Sequence, residues 1–349
     1  MKIVHVLFFT IVTCISVIEI DAQWEKQAVD TKAGLRGLSV VDARTVWASG
    51  TGGTFLKTTD GGKTWKTGRI AGAEKLDFRD IEAFDANTAY VLSIGNGESS
   101  RIYKTVDGGD TWNLQFTNKN EKAFFDAIAC WDKNNCLAMS DPVDGRYVLI
   151  STSDGGINWK PVDTAKMPAA VEGEAAFAAS GTCLIASGKK DAYIVSGGKA
   201  ARVFHSADRG KSWSVAGTPI VKGGDGTGIF SIAMRDAKNG VIVGGNYEKD
   251  KETAGNLAFT ADGGKTWTPG TGLNGYRSGV AFIDKHTIVA VGTSGSDISG
   301  DGGISWKNID KESYNAVQTK GENAVWAVGD KGMVARRLNL SALTKTNTF

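Results

Sequence analysis

Short runs of alternating apolar and polar residues recur along the chain, separated by short turn segments. Leu38-Ser-Val-Val41, Val46-Trp-Ala-Ser49 and Thr54-Phe-Leu-Lys-Thr58 follow one another. After Trp65 comes a further short run, Lys66-Thr-Gly-Arg-Ile70. Alternation at period two over four to six residues, bounded by turn residues, predicts β-strands. The set therefore predicts a unit of four short antiparallel strands, A to D. The same frame returns at Ile81 to Phe84 with Ala89 to Ser93, and at Ile232 to Met234 with Val241 to Gly244.

One motif recurs at the turn between strands C and D. It reads Thr58-Thr-Asp-Gly-Gly-Lys-Thr-Trp65 in the first unit, and the pattern Ser/Thr-x-Asp-x-Gly-x-(Thr/Ser/Asn)-Trp occurs six times. Its aspartates are Asp60, Asp107, Asp154, Asp208, Asp262 and Asp301, spaced by 47, 47, 54, 54 and 39 residues. That period fits one four-stranded propeller blade. The carboxylate can accept bonds from turn amides, glycine supplies φ > 0, and the tryptophan buries a ring between blades. The motif resembles the Asp-box (bacterial neuraminidase) repeat of sialidases, sortilin-type receptors, some xyloglucan hydrolases and photosystem II assembly factors. The resemblance implies a structural element away from the functional face. The boxes lack the spaced carboxylates of a calcium loop.

A seventh unit lacks a box. Asn323 to Arg336 repeats strands B and C of Val46 to Lys57, then stops where a box would begin. The missing fourth strand lies at the other end of the chain, where Gln23-Trp24-Glu25-Lys26-Gln27-Ala28-Val29 matches the segments that follow the boxes. Pairing the two would remove the open edge and close the ring. The expected fold is an all-β, seven-bladed propeller of four-stranded antiparallel blades, closed by the N-terminal strand. It occupies residues 23–340 as one domain, with 341–349 as a tail.

The first segment has a different character. Met1-Lys2 precedes an almost entirely apolar run from Ile3 to Ile18, and Ala22 offers a small residue for cleavage. This is the layout of a secretory signal peptide over residues 1–22, which predicts an exported chain, periplasmic or extracellular. No later stretch is long and apolar enough to span a bilayer. Cys130 and Cys136 flank Asp132-Lys133-Asn134-Asn135; on a hairpin they would face each other and bond in an oxidising compartment. Cys183 is left to pack as a small apolar residue.

Composition removes several function classes. The net charge of +2 is too small for a nucleic-acid groove. Beyond the leader, His205 and His286 are the only histidines, which argues against a zinc site. The sequence has neither a Gly-x-Ser-x-Gly elbow nor a phosphate-binding Gly-x-Gly-x-x-Gly after a strand. No metal or cofactor is expected, and the chain is expected to be a monomer.

In such blades the D–A links and B–C turns share one face, here called upper, and the Asp boxes lie on the other. Candidate ligand-binding residues therefore come from the upper loops. Strand-A starts supply Arg36, Arg79, Asp80, Asp126, Tyr276 and Arg277. The B–C loops supply Asp141, Asp144 and Tyr247, and the link near Val171 adds Glu172 and Glu174. Arg277 beside Tyr276 offers a charged fork with a stacking surface, and is the preferred anchor. Arg36, Arg79 and Arg277 invite comparison with a sialidase arginine triad, but the Arg-Ile-Pro segment is absent and sialidase propellers have six blades. A two-carboxylate hydrolase or lyase using Asp80, Asp126, Asp141 or Glu174 is the catalytic alternative.

Phe78-Arg-Asp-Ile-Glu-Ala-Phe84 and Ile102-Tyr-Lys-Thr-Val-Asp-Gly-Gly109 resemble the photosystem II stability/assembly factor family. Ser140 to Arg146, Glu172 to Ser180 and Gly275 to Ser278 resemble a branch of exported bacterial propellers in that broad group. Such proteins are often labelled oxidoreductases, although nothing in this sequence supports redox chemistry. The resemblance implies a non-catalytic binding or assembly scaffold that presents a charged face to a protein or glycan. The alternative is a carbohydrate-active enzyme with its site at the mouth of the central channel. In the photosynthetic relatives a basic patch engages a membrane-protein partner; here arginines are interleaved with acids.

Overall fold

The computed structural model describes residues 24–337. The leader proposed for residues 1–22 and the tail at 341–349 lie outside the described residues. Seven antiparallel sheets form a ring. Blade one is Leu35–Val40, Val46–Gly50, Thr54–Thr58 and Lys66–Arg69, from the channel outwards. The second strand is buried at every residue, because both of its faces meet neighbouring blades, and the outermost strand is the most exposed. Blade seven is Ala316–Thr319, Val325–Val328 and Val334–Arg337, completed by Trp24–Lys26. The register pairs Trp24 with Arg337 and Lys26 with Ala335, so the N-terminal strand closes the ring as the sequence pattern predicts.

The fifth blade departs from four strands. Its sheet gains Glu174–Ala175 and Gly197–Gly198, two short strands contributed by the link before blade four and by blade four itself. Blade four in turn has a short innermost strand, Leu184–Ser187. The preceding residues leave the sheet and run across the top of the channel.

Each Asp box forms the same clasp. In the first, Thr58 Oγ1 donates to Asp60 Oδ1 at 2.8 Å and accepts from Gly62 N at 2.9 Å. Asp60 also accepts from Thr64 N at 2.9 Å and from Thr64 Oγ1 at 2.6 Å. These bonds favour the ionised form, so the Asp60 carboxyl is held down to about 2. The box tryptophans pack on the preceding blade: Trp65 against Trp326, with centroids 5.6 Å apart, and Trp112 against Phe55 at 5.3 Å. Only in the fourth box does a non-glycine residue follow the aspartate. Arg209 there has φ 62, a strained value for a side-chain-bearing residue; its Nε donates to the Lys189 carbonyl and its guanidinium covers Trp131.

A second device joins the blades on the box face. Lys57 lies over Trp47 and donates to the Ala86 and Gly108 carbonyls of blade two. Lys104 lies over Tyr90 and donates to Gly155 of blade three. Arg336 lies over Trp326 and donates to Gly61 of blade one, across the closure. A cation placed just before the C–D turn thus staples the next blade's box. In blade three, Cys130 and Cys136 sit opposite each other on the Phe125–Asp132/Asn135–Val143 hairpin and are disulfide-bonded. Cys183 is free and buried.

Candidate binding site on the upper face

Bulges in the innermost strands set the direction of the upper-face side chains. The register slips between Leu35 and Gly37, Phe78 and Asp80, Phe125 and Ala127, and Ile229 and Ser231. The extra residues are Arg36, Arg79, Asp126 and Phe230. A bulge leaves one residue outside the ladder and re-aims its side chain. Arg36, Arg79 and Phe230 thereby line one cavity of about 310 Å³ at the channel mouth, together with Phe177–Ala179, Tyr247, Tyr276, Asn315 and Asp330.

The link before blade four forms the cavity's floor. The Ala179 carbonyl accepts from Arg36 Nη1 at 3.4 Å, and the Ala178 carbonyl from Arg79 Nη1 at 3.3 Å. Phe177 stacks on Phe230, with ring centroids 3.9 Å apart and planes 7° apart. Its ring rests on Gly197, where a Cβ would come within 2.2 Å of a ring carbon, so no larger residue fits there. Tyr276 meets Phe230 edge-on at 4.7 Å. Tyr247, 49% exposed, stands edge-on to both phenylalanines at the rim.

The two arginines are not equally compensated. Arg79 Nε donates to Asp77 at 2.8 Å. Arg36 is half-buried and has no carboxylate in salt-bridge contact among the described residues. Burial, and then the charge of Arg79, lower its pKa, against smaller opposing effects led by Asp330. Asp330 Oδ1 instead accepts from Asn315 Nδ2 at 3.0 Å. The cavity therefore has a cationic side in blades one and two, a carboxylate and carboxamide in blade seven, and an aromatic side between blades four and six.

The other predicted residues fall elsewhere. Arg277, the preferred anchor, is fully buried. Its Nη2 lies 2.6 Å from Asp297 Oδ2, its Nε donates to the same oxygen, and Nη1 donates to the Tyr276 carbonyl and Ser294 Oγ. It has no face left for a ligand, so the cavity loses that residue; Ser278 occupies the corresponding place in the lining. Glu174 is likewise buried and bound by Arg202, Ser196 and Val171 N. Asp144 pairs with Lys122 at the surface, and Glu172 is exposed away from the cavity.

Asp80, Asp126 and Asp141 are drawn inward. Asp80 accepts from Ile81 N and Ile128 N, both at 2.8 Å, in the lower channel beside Glu82. It abuts Gly181, where φ is +76° and a Cβ would overlap the carboxylate. Burial raises the Asp80 carboxyl to about 7 and the Asp141 carboxyl to about 6. Asp126 is raised by burial and by Asp141, and its Oδ2 has no partner. None of these carboxylates lines the upper cavity, so the paired-carboxylate arrangement does not form there. Among the described residues no group of three or more His, Cys, Asp or Glu could hold a metal ion.

These shifts predict a pH dependence. Carboxyls raised above their unfolded pKa of about 4 bind protons more tightly when folded, so their contribution is full below about 4 and is lost as pH rises towards 7. The Asp boxes work oppositely, losing theirs as pH falls from about 4 towards 2. Melting temperature is therefore expected to fall from pH 5 to pH 8, with a shallower slope in Asp80→Asn. A melting temperature that rises over this range would contradict the assignment.

Comparison with known proteins agrees with the ring. The family model described as photosynthesis system II assembly factor YCF48 matches residues 17–119, which include blades one and two. The chain is an Asp-box propeller that resembles the photosystem II assembly factors. Among solved structures, YCF48 bound to D1 peptide is 16% identical at a TM-score of 0.67, over 90% of this chain and 95% of that one. YCF48 from Cyanidioschyzon merolae is 17% identical at 0.62, over 92% and 100%. U3-55K is 12% identical at 0.61, over 90% and 98%. At these identities the likeness is one of fold. No curated protein sequence matches the chain.

Sequence reading missed Phe177, Phe230, Asn315 and Asp330. Phe230 had a signal: it follows Ile229 at the start of an innermost strand, as Arg36 follows Leu35 and Arg79 follows Phe78. Phe177 had none, because nothing local marks a link that crosses the channel.

Proposed function

We propose that this chain is an exported, non-catalytic scaffold that binds a protein partner through the upper-face cavity. The observation that carries this reading is Arg36: a half-buried guanidinium with no carboxylate in salt-bridge contact among the described residues, opening into a cavity walled by four aromatic rings. Burying a cation without a counter-charge is costly, and such a cost is found where a partner supplies the charge. A solved relative in fold, YCF48, carries a bound peptide, which supports a polypeptide as the partner class. Export is supported by the Met1 to Ala22 leader and by the Cys130–Cys136 pair, which suits an oxidising compartment.

Two experiments test this. In the source cells, a photocrosslinking amino acid replacing Tyr247 should give discrete polypeptide adducts, and one replacing Ile304, which is 85% exposed in a box, should not. Adducts from position 304 alone would contradict the reading. Mass spectrometry of the chain purified from those cells should find Gln23 as its first residue; a retained Met1 would overturn export by cleavage.

A further inference from the structure

We infer that the upper cavity reads the free carboxylate end of a polypeptide whose last side chain is aromatic. This rests on the protein-binding reading above and names the chemistry that the cavity selects.

The charges fix the first element. Arg36 and Arg79 face the cavity; Asp77 pairs with Arg79, and Asp330 lines the cavity from blade seven without a salt bridge to Arg36. With Arg79 paired to Asp77, Arg36 is the one guanidinium of the two with no carboxylate in contact among the described residues, which suits a single added carboxylate and not a polyanion and sets nucleic acids and phosphorylated ligands aside. A planar carboxylate matches the fork of a guanidinium, and beyond the 3.4 Å bond from Nη1 to the Ala179 carbonyl, Arg36 has Nε and Nη2 left for it. A second carboxylate would meet Asp330 and be repelled.

Asp330 supplies the second element. One of its oxygens accepts from Asn315, and the other can accept a donor from the ligand. A chain-terminal residue carries such a donor, its amide N–H, on the carbon next to its carboxylate. Arg36 and Asp330 both line the cavity, so one residue can meet both.

The aromatic wall supplies the third. The Phe177–Phe230 stack is already edged by Tyr276, and Tyr247 leaves half its surface in water. A ring entering beside Tyr247 would cover that surface and add edge or face contacts. At about 310 Å³ the cavity is at the small end of ligand sites. It suits one residue with the chain leaving past the rim, and does not suit an extended oligosaccharide.

The same carboxylate–ring chemistry could come from a free aromatic acid, so the test separates the two sources. Isothermal titration of the full chain would use an acetylated hexapeptide of Gly and Ser ending in Phe with a free carboxylate. It would be compared with the same peptide as its amide, with the peptide ending in Ala, and with N-acetylphenylalanine. The free acid should bind, and the amide and the Ala-ended peptide should each bind about tenfold or more weakly. Arg36→Ala should erase the preference for acid over amide, and Tyr247→Ala the preference for Phe over Ala, with both variants folded by circular dichroism. Equal binding of acid and amide, or an acid preference unchanged in Arg36→Ala, would overturn the inference. Equal affinity for N-acetylphenylalanine and the hexapeptide would keep the carboxylate–ring chemistry and overturn the polypeptide. Crosslinks at position 247 without binding of any of these probes would overturn this inference and leave the protein-binding reading standing.

Discussion

Arg277→Ala is expected to lower folding stability by about 3–5 kcal/mol, seen as a reduced midpoint in urea denaturation. Arg277 and Asp297 are both fully buried, and the arginine is bound by Asp297, Ser294 and the Tyr276 carbonyl. Truncating it would leave Asp297 as an uncompensated charge in the interior. Asn274 and Asn308 also donate to Asp297, which would soften the loss without neutralising the carboxylate. Arg277→Lys should recover only part, because an ammonium cannot reproduce the fork. Arg277→Met combined with Asp297→Leu should recover more than Arg277→Ala does, although the two asparagines then lose an acceptor. A loss under about 1 kcal/mol for Arg277→Ala would show that the pair is not as desolvated as its burial implies.

Removing residues 23–29 is expected to open the ring. Trp24 packs on Tyr314 at 5.5 Å and donates to Ser296 Oγ at 2.9 Å, Lys26 pairs with Glu312, and Gln27 N donates to the Val334 carbonyl. Without this strand, Val334–Arg337 becomes an unpaired edge and Tyr314 loses its cover. Trp24→Ala alone should cost roughly 3 kcal/mol through the cavity it leaves. The deletion should cost more, and should expose an edge prone to pairing with another chain. Hydrogen exchange is the direct readout: amides of Ala316–Thr319 and Val325–Val328 should lose protection before those of blade three. Unchanged protection across blade seven would show that the closure contributes nothing.

The ring and its closure were legible because each rests on repetition. Six boxes fix the blade period, and a B–C pair without a box at one end matches a lone D strand at the other. Direction at the channel was harder to read. Leu35 N, Ile229 N and Arg277 N make equivalent bonds to the preceding blade, through Gly329 O, Ser196 O and Gly244 O. Arg277 therefore stands where Leu35 stands, inside, one position before the place of Arg36. A one-residue offset turns a side chain from the channel to the core, and neighbouring letters in a sequence do not display it. Asp80 and Asp126 fail for a related reason: at a bulge, adjacent residues point to different surroundings, and burial depends on what the opposite blades provide. The crossing of the channel by Phe177–Ala179 leaves no periodic trace.

If binding belongs to the upper face and architecture to the box face, one paired measurement separates the two. Arg36→Ala and Asp154→Ala, each carrying the crosslinker at position 247, would be compared for melting temperature and for adduct yield. Arg36→Ala removes a half-buried cation repelled by Arg79, so its melting temperature should equal or exceed that of the parent while the adduct is lost. Asp154→Ala removes the acceptor for Thr152 and Asn158, so it should melt lower while its folded fraction still forms the adduct. If Arg36→Ala instead melts lower and keeps the adduct, Arg36 is part of the architecture and the upper cavity is not the binding site.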